Sequence, residues 1–147
     1  MKLESNDFKN QGFIPAKFTC DGEDVSPELH WADAPKETKS FALTVRDPDA
    51  VSVAGKTWEH WFVCNIPAGV NKIAEGSLPM NAEEVKNSFG FSHYGGPCPP
   101  SGVHRYYFTV YALNVERLAG ASMQNFLSLL EKHSIAKAEL MGKYKRK

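Results

Sequence analysis

The sequence predicts a mainly β fold: an antiparallel β-sheet or β-sandwich with short helices at the C-terminal end. Three observations carry this expectation. Gly and Pro punctuate the first two thirds of the chain at short intervals and thin out after Gly102. Within that part, apolar residues alternate with period two or run over strand-sized lengths. Helical spacing shows only from Ser122 onward, so strands come first and helices last, which argues against βαβ units.

Each element has its own signal. A short strand opens the chain near Met1–Ser5, and another sits near Leu29–Trp31. Ser40–Arg46 alternates, with Phe41, Leu43 and Val45 on one face. Trp58–Ile66 is apolar on both faces, as expected of a central strand covered on both sides. His104–Val115 is the longest strand and is rich in aromatic and β-branched residues. Ser122 caps a helix running to about His133, with Met123, Phe126, Leu127 and Leu130 on one stripe. His133 falls in its last turn, where a cation suits the helix dipole. Ser134 then caps a second short helix, with Ile135, Ala138 and Met141 on one side and Gly142 at its end.

The chain has 147 residues, which predicts one domain over 1–147. Hydrophobic residues make up 42% and charged residues 23%, which excludes intrinsic disorder as the main state. No apolar run approaches the roughly 18 residues of a membrane span, so no stable membrane insertion is expected. The N-terminus lacks an apolar secretory core. Cys20, Cys64 and Cys98 have no CxxC spacing and read as reduced thiols of a cytoplasmic protein.

Formal net charge is zero, with 17 basic and 17 acidic residues, which argues against nucleic acid as a partner. The charge is unevenly spread. Residues 1–84 carry 8 basic and 14 acidic groups, and residues 85–147 carry 9 and 3. Halves of −6 and +6 attract each other within one fold or across two copies. The basic C-terminal tail is a solvated end. Phosphate loops of the GxxxxGK and GxGxxG kinds are absent.

Four places offer chemistry. On the His104 strand, period two places His104, Tyr106, Phe108 and Val110 on one face. On the Trp58 strand it groups Trp58, His60, Phe62 and Cys64. An imidazole on an apolar face needs hydrogen-bond partners. Arg46-Asp47-Pro48-Asp49 ends a strand, and its two carboxylates serve either an Asx-type turn or a site facing a histidine. Finally, Gly95–Gly102 holds three prolines and three glycines. It forms either a rigid wall whose backbone N–H groups approach an anion or a long hairpin connection.

Taken together, Asp47-Pro48-Asp49-Ala50, Trp58-Glu59-His60-Trp61, and Gly95-Gly96-Pro97 through Gly102-Val103-His104-Arg105-Tyr106 resemble the signature of the phosphatidylethanolamine-binding protein family. The similarity is to its bacterial and archaeal Raf-kinase-inhibitor-like branch. Cys20-Asp21-Gly22, Ser26-Pro27-Glu28-Leu29-His30-Trp31 and Asn65-Ile66-Pro67-Ala68 support it, and it runs from about Phe13 to Tyr144. One departure is Val51 after Ala50, where the family often has Pro; the aim of Asp49 is left to the turn.

The resemblance implies a β-sandwich with a small pocket for an anion or phosphorylated head group. The matching positions are Asp47, Asp49, His60, Gly96, Pro97, His104 and Tyr106, with Trp58 and His93 as neighbours. It also implies a homodimer and a kinase or protease target, and no cofactor. In such a pocket the carboxylates hold the imidazoles, and protonated His60 and His104 donate to the anion beside the Tyr106 hydroxyl. Affinity then weakens as pH rises past roughly 6.5. The alternative is an acid–base hydrolase of a phosphoester or acyl substrate using His60, His104, Asp47 and Asp49. Its nucleophile would be Cys98 or, less well, Ser101. Metal-ligand spacings such as HxH or HExxH are absent.

Overall fold

The alternating Ser40–Asp47 segment forms β3, the middle strand of a five-stranded antiparallel sheet. In the computed structural model, which describes residues 1–146, β3 lies between β4 (Trp58–Pro67) and β7 (His104–Leu113). The outer strands are β6 (Glu83–Val85), beside β4, and β8 (Ser134–Tyr144), beside β7. A second sheet joins β1 (Lys2–Glu4), β2 (Leu29–Ala32) and β5 (Lys72–Ile73), also antiparallel.

The two sheets enclose the main core. Phe41, Leu43 and Val45 of β3 pack there with Trp61, Val63, Phe108 and Val110, against Leu3, Leu29, Trp31 and Ile73 of the small sheet. The opposite face of the large sheet is also covered. Helix α2 (Phe126–His133) lies over it and lays Phe126 flat on Phe62, ring centroids 4.5 Å apart. Ala42, Cys64, Leu113, Leu118 and Leu130 complete this second core. The double cover explains why Trp58–Ile66 is apolar on both faces. Among the described residues, no helix is long and apolar enough to cross a membrane.

Two expectations are corrected. Helix α2 starts at Phe126 and not at Ser122; Asn125 stands at its N-cap position and accepts from the Ser122 backbone N–H. The segment from Ser134 is strand β8, not a second helix. Every second residue from Ala138 to Tyr144 faces inward, and Gly142 lets Ile14 pack where a Cβ would sit 2.5 Å from its Cγ1. An apolar spacing at Ile135, Ala138 and Met141 fits a helix locally. Ten paired positions along β7 outweigh that local preference.

The charge asymmetry is met within the fold. β7 and β8 come from the basic half and β3 and β4 from the acidic half, yet all share one sheet. Asp49–Arg105, Glu83–Arg117 and Asp21–Arg146 pair across the two halves.

Candidate functional site

A one-residue irregularity creates the site. On β3–β4, Val45 faces Trp61 but Arg46 faces Glu59, so His60 has no opposite number. This β-bulge re-aims the side chain. Strict alternation would place His60 with Phe62 and Cys64, in the core under α2. Instead its ring meets Tyr106 of β7, centroids 5.2 Å apart, and Phe89 at 5.2 Å.

The end of β3 supplies the carboxylate. Asp47 Oδ1 accepts from the Asp49 backbone N–H at 2.8 Å, which closes the turn. Asp47 Oδ2 accepts from His104 Nδ1 at 2.6 Å. One side chain therefore performs both roles open in the sequence, turn cap and histidine partner. Both residues are buried, and burial raises the Asp47 carboxyl above its ordinary value while the His104 hydrogen bond and charge pull it down. After Asp47, Pro48–Ala50 form a 3-10 turn and α1 (Val51–Ala54) a single helical turn. Val51 thus continues a helix where the family often has Pro.

These groups border a cavity of about 340 Å³, lined by Asp47, Ala50, Val53, Ala54, Trp58, His60, Phe89, Cys98, Pro99, Pro100, His104 and Tyr106. A larger hollow of about 590 Å³ lies beside β6, but its Glu83 and Arg117 are exposed and pair with each other. The smaller cavity is the one that gathers buried polar groups. The Tyr106 hydroxyl is fully buried near Asp47 and the Cys98 backbone, yet meets no hydrogen-bond partner among the described residues. Burial and Asp47 raise its pKa, so it stays a hydroxyl.

His60 differs from its expected role. Its Nδ1 lies 2.7 Å from the Gly95 carbonyl, which can only accept, so Nδ1 carries the proton. Burial pushes the imidazole down to about 4, against the Gly95 and Gly96 carbonyls, which favour the proton; the nearby His104 lowers it further. His60 is therefore uncharged at neutral pH and is not the protonated donor expected from the sequence.

The other expected positions lie as follows. Asp49 points to Arg105, accepting from its Nε at 2.9 Å and Nη2 at 2.7 Å, and lies outside the cavity lining. That guanidinium holds the Asp49 carboxyl below its usual range. The Gly96 N–H donates to Asp24 Oδ1 at 2.7 Å and the Gly95 N–H to the His60 carbonyl, so neither amide is left for an anion. Pro97 accepts from the Cys20 N–H and is not in the lining. His93 stacks on Phe91 at 3.9 Å and borders a different hollow with Trp61 and Tyr94. Trp58 does line the cavity. Ala50, Pro99 and Pro100 enter the lining from quoted motifs, whereas Phe89, Val53 and Ala54 were not singled out in the sequence; an isolated Phe or a Val on a short turn carries no motif there.

Gly96 is held by the protein itself. A Cβ there would sit 2.3 Å from the Phe18 carbonyl oxygen and 2.4 Å from Asp24 Oδ1. Gly96→Ala is expected to cost about 2–3 kcal/mol, because one clash is with backbone. The urea midpoint measures it, and an unchanged midpoint would show that the loop gives way freely.

The thiol expectation is also corrected. Cys20 and Cys98 form a disulfide across 78 residues of sequence. It ties the loop after Phe18 to the cavity wall. Cys64 is free and buried, and burial pushes its thiol up to about 11, which makes it inert.

Comparisons with known proteins find matches over nearly the whole chain. Residues 4–145 match the family described as phosphatidylethanolamine-binding protein. A UPF0098 protein of Methanothermobacter thermautotrophicus is 43% identical, covering 99% of this chain and 99% of its own. YbhB of Escherichia coli is 36% identical, covering 98% and 99%. The crystal structure of Escherichia coli YbcL, described as a new member of the mammalian PEBP family, superposes with a TM-score of 0.92 at 36% identity, covering 99% and 98%. CT736 of Chlamydia trachomatis superposes with a TM-score of 0.91 at 40% identity, covering 99% and 97%.

Proposed function

Because the chain belongs to the phosphatidylethanolamine-binding protein family, in the bacterial and archaeal branch with YbhB and YbcL, we propose that it is a non-enzymatic binding protein for a small oxyanion or phosphorylated head group. The observation that carries this is the buried Tyr106 hydroxyl. It lacks a protein partner and sits in a cavity beside the Asp47–His104 pair. A buried hydroxyl without a partner costs about 1–3 kcal/mol. A ligand oxygen that accepts from it recovers that cost. Asp47 fixes His104 with Nδ1 inward, which leaves Nε2 as the nitrogen available to a ligand. Val53, Trp58, Phe89 and Pro99 give the cavity an apolar lining around these few polar contacts.

Two observations favour binding over hydrolysis by a covalent route. Cys98, the better nucleophile candidate, is in a disulfide. Ser101, the weaker one, borders a neighbouring hollow with Asp49 and not the cavity that holds His60 and Tyr106.

Tyr106→Phe tests the proposal, since it removes only the hydroxyl. Amide NMR titration with phosphate should show saturable shifts around the cavity in the parent chain. The variant should bind about tenfold more weakly, as expected for one lost hydrogen bond of about 1.4 kcal/mol. Its urea midpoint should stay the same or rise, because no protein partner is lost. A variant that loses stability and keeps its affinity would give Tyr106 a purely structural role.

A further inference from the structure

The cavity is not a cage of donors. The Gly95 and Gly96 amides are turned into the protein, to the His60 carbonyl and to Asp24. The nearest guanidinium, Arg105, is committed to Asp49. Lys56 lies over the Trp58 ring at 5.4 Å. The titratable groups facing the ligand space are therefore Asp47 from β3, His60 from β4, and His104 and Tyr106 from β7.

Their proton inventory is specific. Tyr106 brings one donor. Asp47 is an acceptor already engaged by the Asp49 N–H and by His104. His60 Nδ1–H donates to the Gly95 carbonyl, so in the neutral ring its Nε2 offers a lone pair. His104 Nδ1–H donates to Asp47, so its Nε2 accepts in the neutral ring and donates in the protonated ring.

A bare oxyanion offers only lone pairs. Seated here, it sets one of them against the lone pair of His60 Nε2, on a buried ring where an unpaired polar atom is costly. An oxyanion that keeps a proton solves this. Its O–H donates to His60 Nε2, while its other oxygens accept from Tyr106 and from protonated His104. We propose that the site selects a protonated oxyanion, such as hydrogen phosphate or a phosphomonoester, over sulfate and over phosphodiesters, with His60 Nε2 as the discriminating acceptor. This rests on the binding role proposed above and narrows its ligand class. Affinity for phosphate then falls as pH rises, because the ligand sheds the proton that the complex needs.

The test is isothermal titration at pH 6 with inorganic phosphate, methyl phosphate, dimethyl phosphate and sulfate. Dimethyl phosphate carries the single charge of dihydrogen phosphate without its proton, so it separates charge from hydrogen bonding. Phosphate and methyl phosphate should bind at least about tenfold more tightly than the other two, the equivalent of one unpaired buried acceptor. Glycerophosphoethanolamine, a diester like a lipid head group, should follow dimethyl phosphate, and phosphoethanolamine should follow methyl phosphate. A His60→Gln chain, whose amide also donates, should bring sulfate up to within about threefold of phosphate. Equal affinity of the parent chain for all four probes would overturn the selectivity and leave the binding role standing. Unchanged selectivity in a folded His60→Gln chain would overturn the role of Nε2. Binding of none of the probes at millimolar concentration would overturn the binding role and this inference with it.

Discussion

Removing the Cys20–Cys98 disulfide is expected to lower the unfolding free energy by about 4.5 kcal/mol. The bond spans 78 residues, and the chain-entropy relation for a loop of that length gives roughly this value. Most of the effect lies in the unfolded chain, which regains freedom when the link is cut. The Cys20→Ser, Cys98→Ser double variant should show a lower urea midpoint at an otherwise similar transition. Reductant should shift the parent chain in the same direction and leave the variant unmoved, because Cys64 is buried with a raised pKa. A variant as stable as the parent would mean that the two loops stay paired without the bond. The disulfide also removes the argument from reduced thiols for a cytoplasmic setting, since such bonds persist in oxidising compartments.

Acid should destabilise the fold by about 3 kcal/mol through His60 alone. In the unfolded chain this imidazole takes a proton below its ordinary 6.5; in the folded chain it resists until about 4. Between these values the unfolded state holds the extra proton. The stabilisation is therefore complete above pH 6.5 and is lost as pH falls toward 4. Asp47 works in the opposite sense. Its raised carboxyl takes a proton sooner in the folded state, which offsets part of the loss at the acid end. Urea midpoints at pH 7, 5.5 and 4.5 should fall steadily in the parent chain and less in His60→Gln. Identical slopes in the two chains would place the titrating group elsewhere.

Much of the fold was legible because strand signals are local. The alternation in Ser40–Arg46 and the two-sided apolar run of Trp58–Ile66 identify β3 and β4 and even their layering. The Ser134–Tyr144 strand was missed for the same reason. Over a few residues its apolar spacing suits a helix, and only the long pairing with β7 reveals the strand. Asp47, Trp58, His60, His104 and Tyr106 could be named from motifs, and all five line one cavity. Which of them hold protons could not. The answer depends on the Gly95 carbonyl meeting His60 and on Asp47 meeting His104, 57 residues away.

Composition, period-two patterning and short motifs were thus enough to predict a mainly β chain, the five strands richest in signal and the polar residues of the site. Each of these depends on residues within one or two turns of chain. The facing of His60, the turning of Asp49 to Arg105, the closure of the glycine loop's amides and the Cys20–Cys98 bond came from the assembled molecule. All four depend on register and on contacts between distant segments, where one extra residue in β4 moves a histidine from one core to the other.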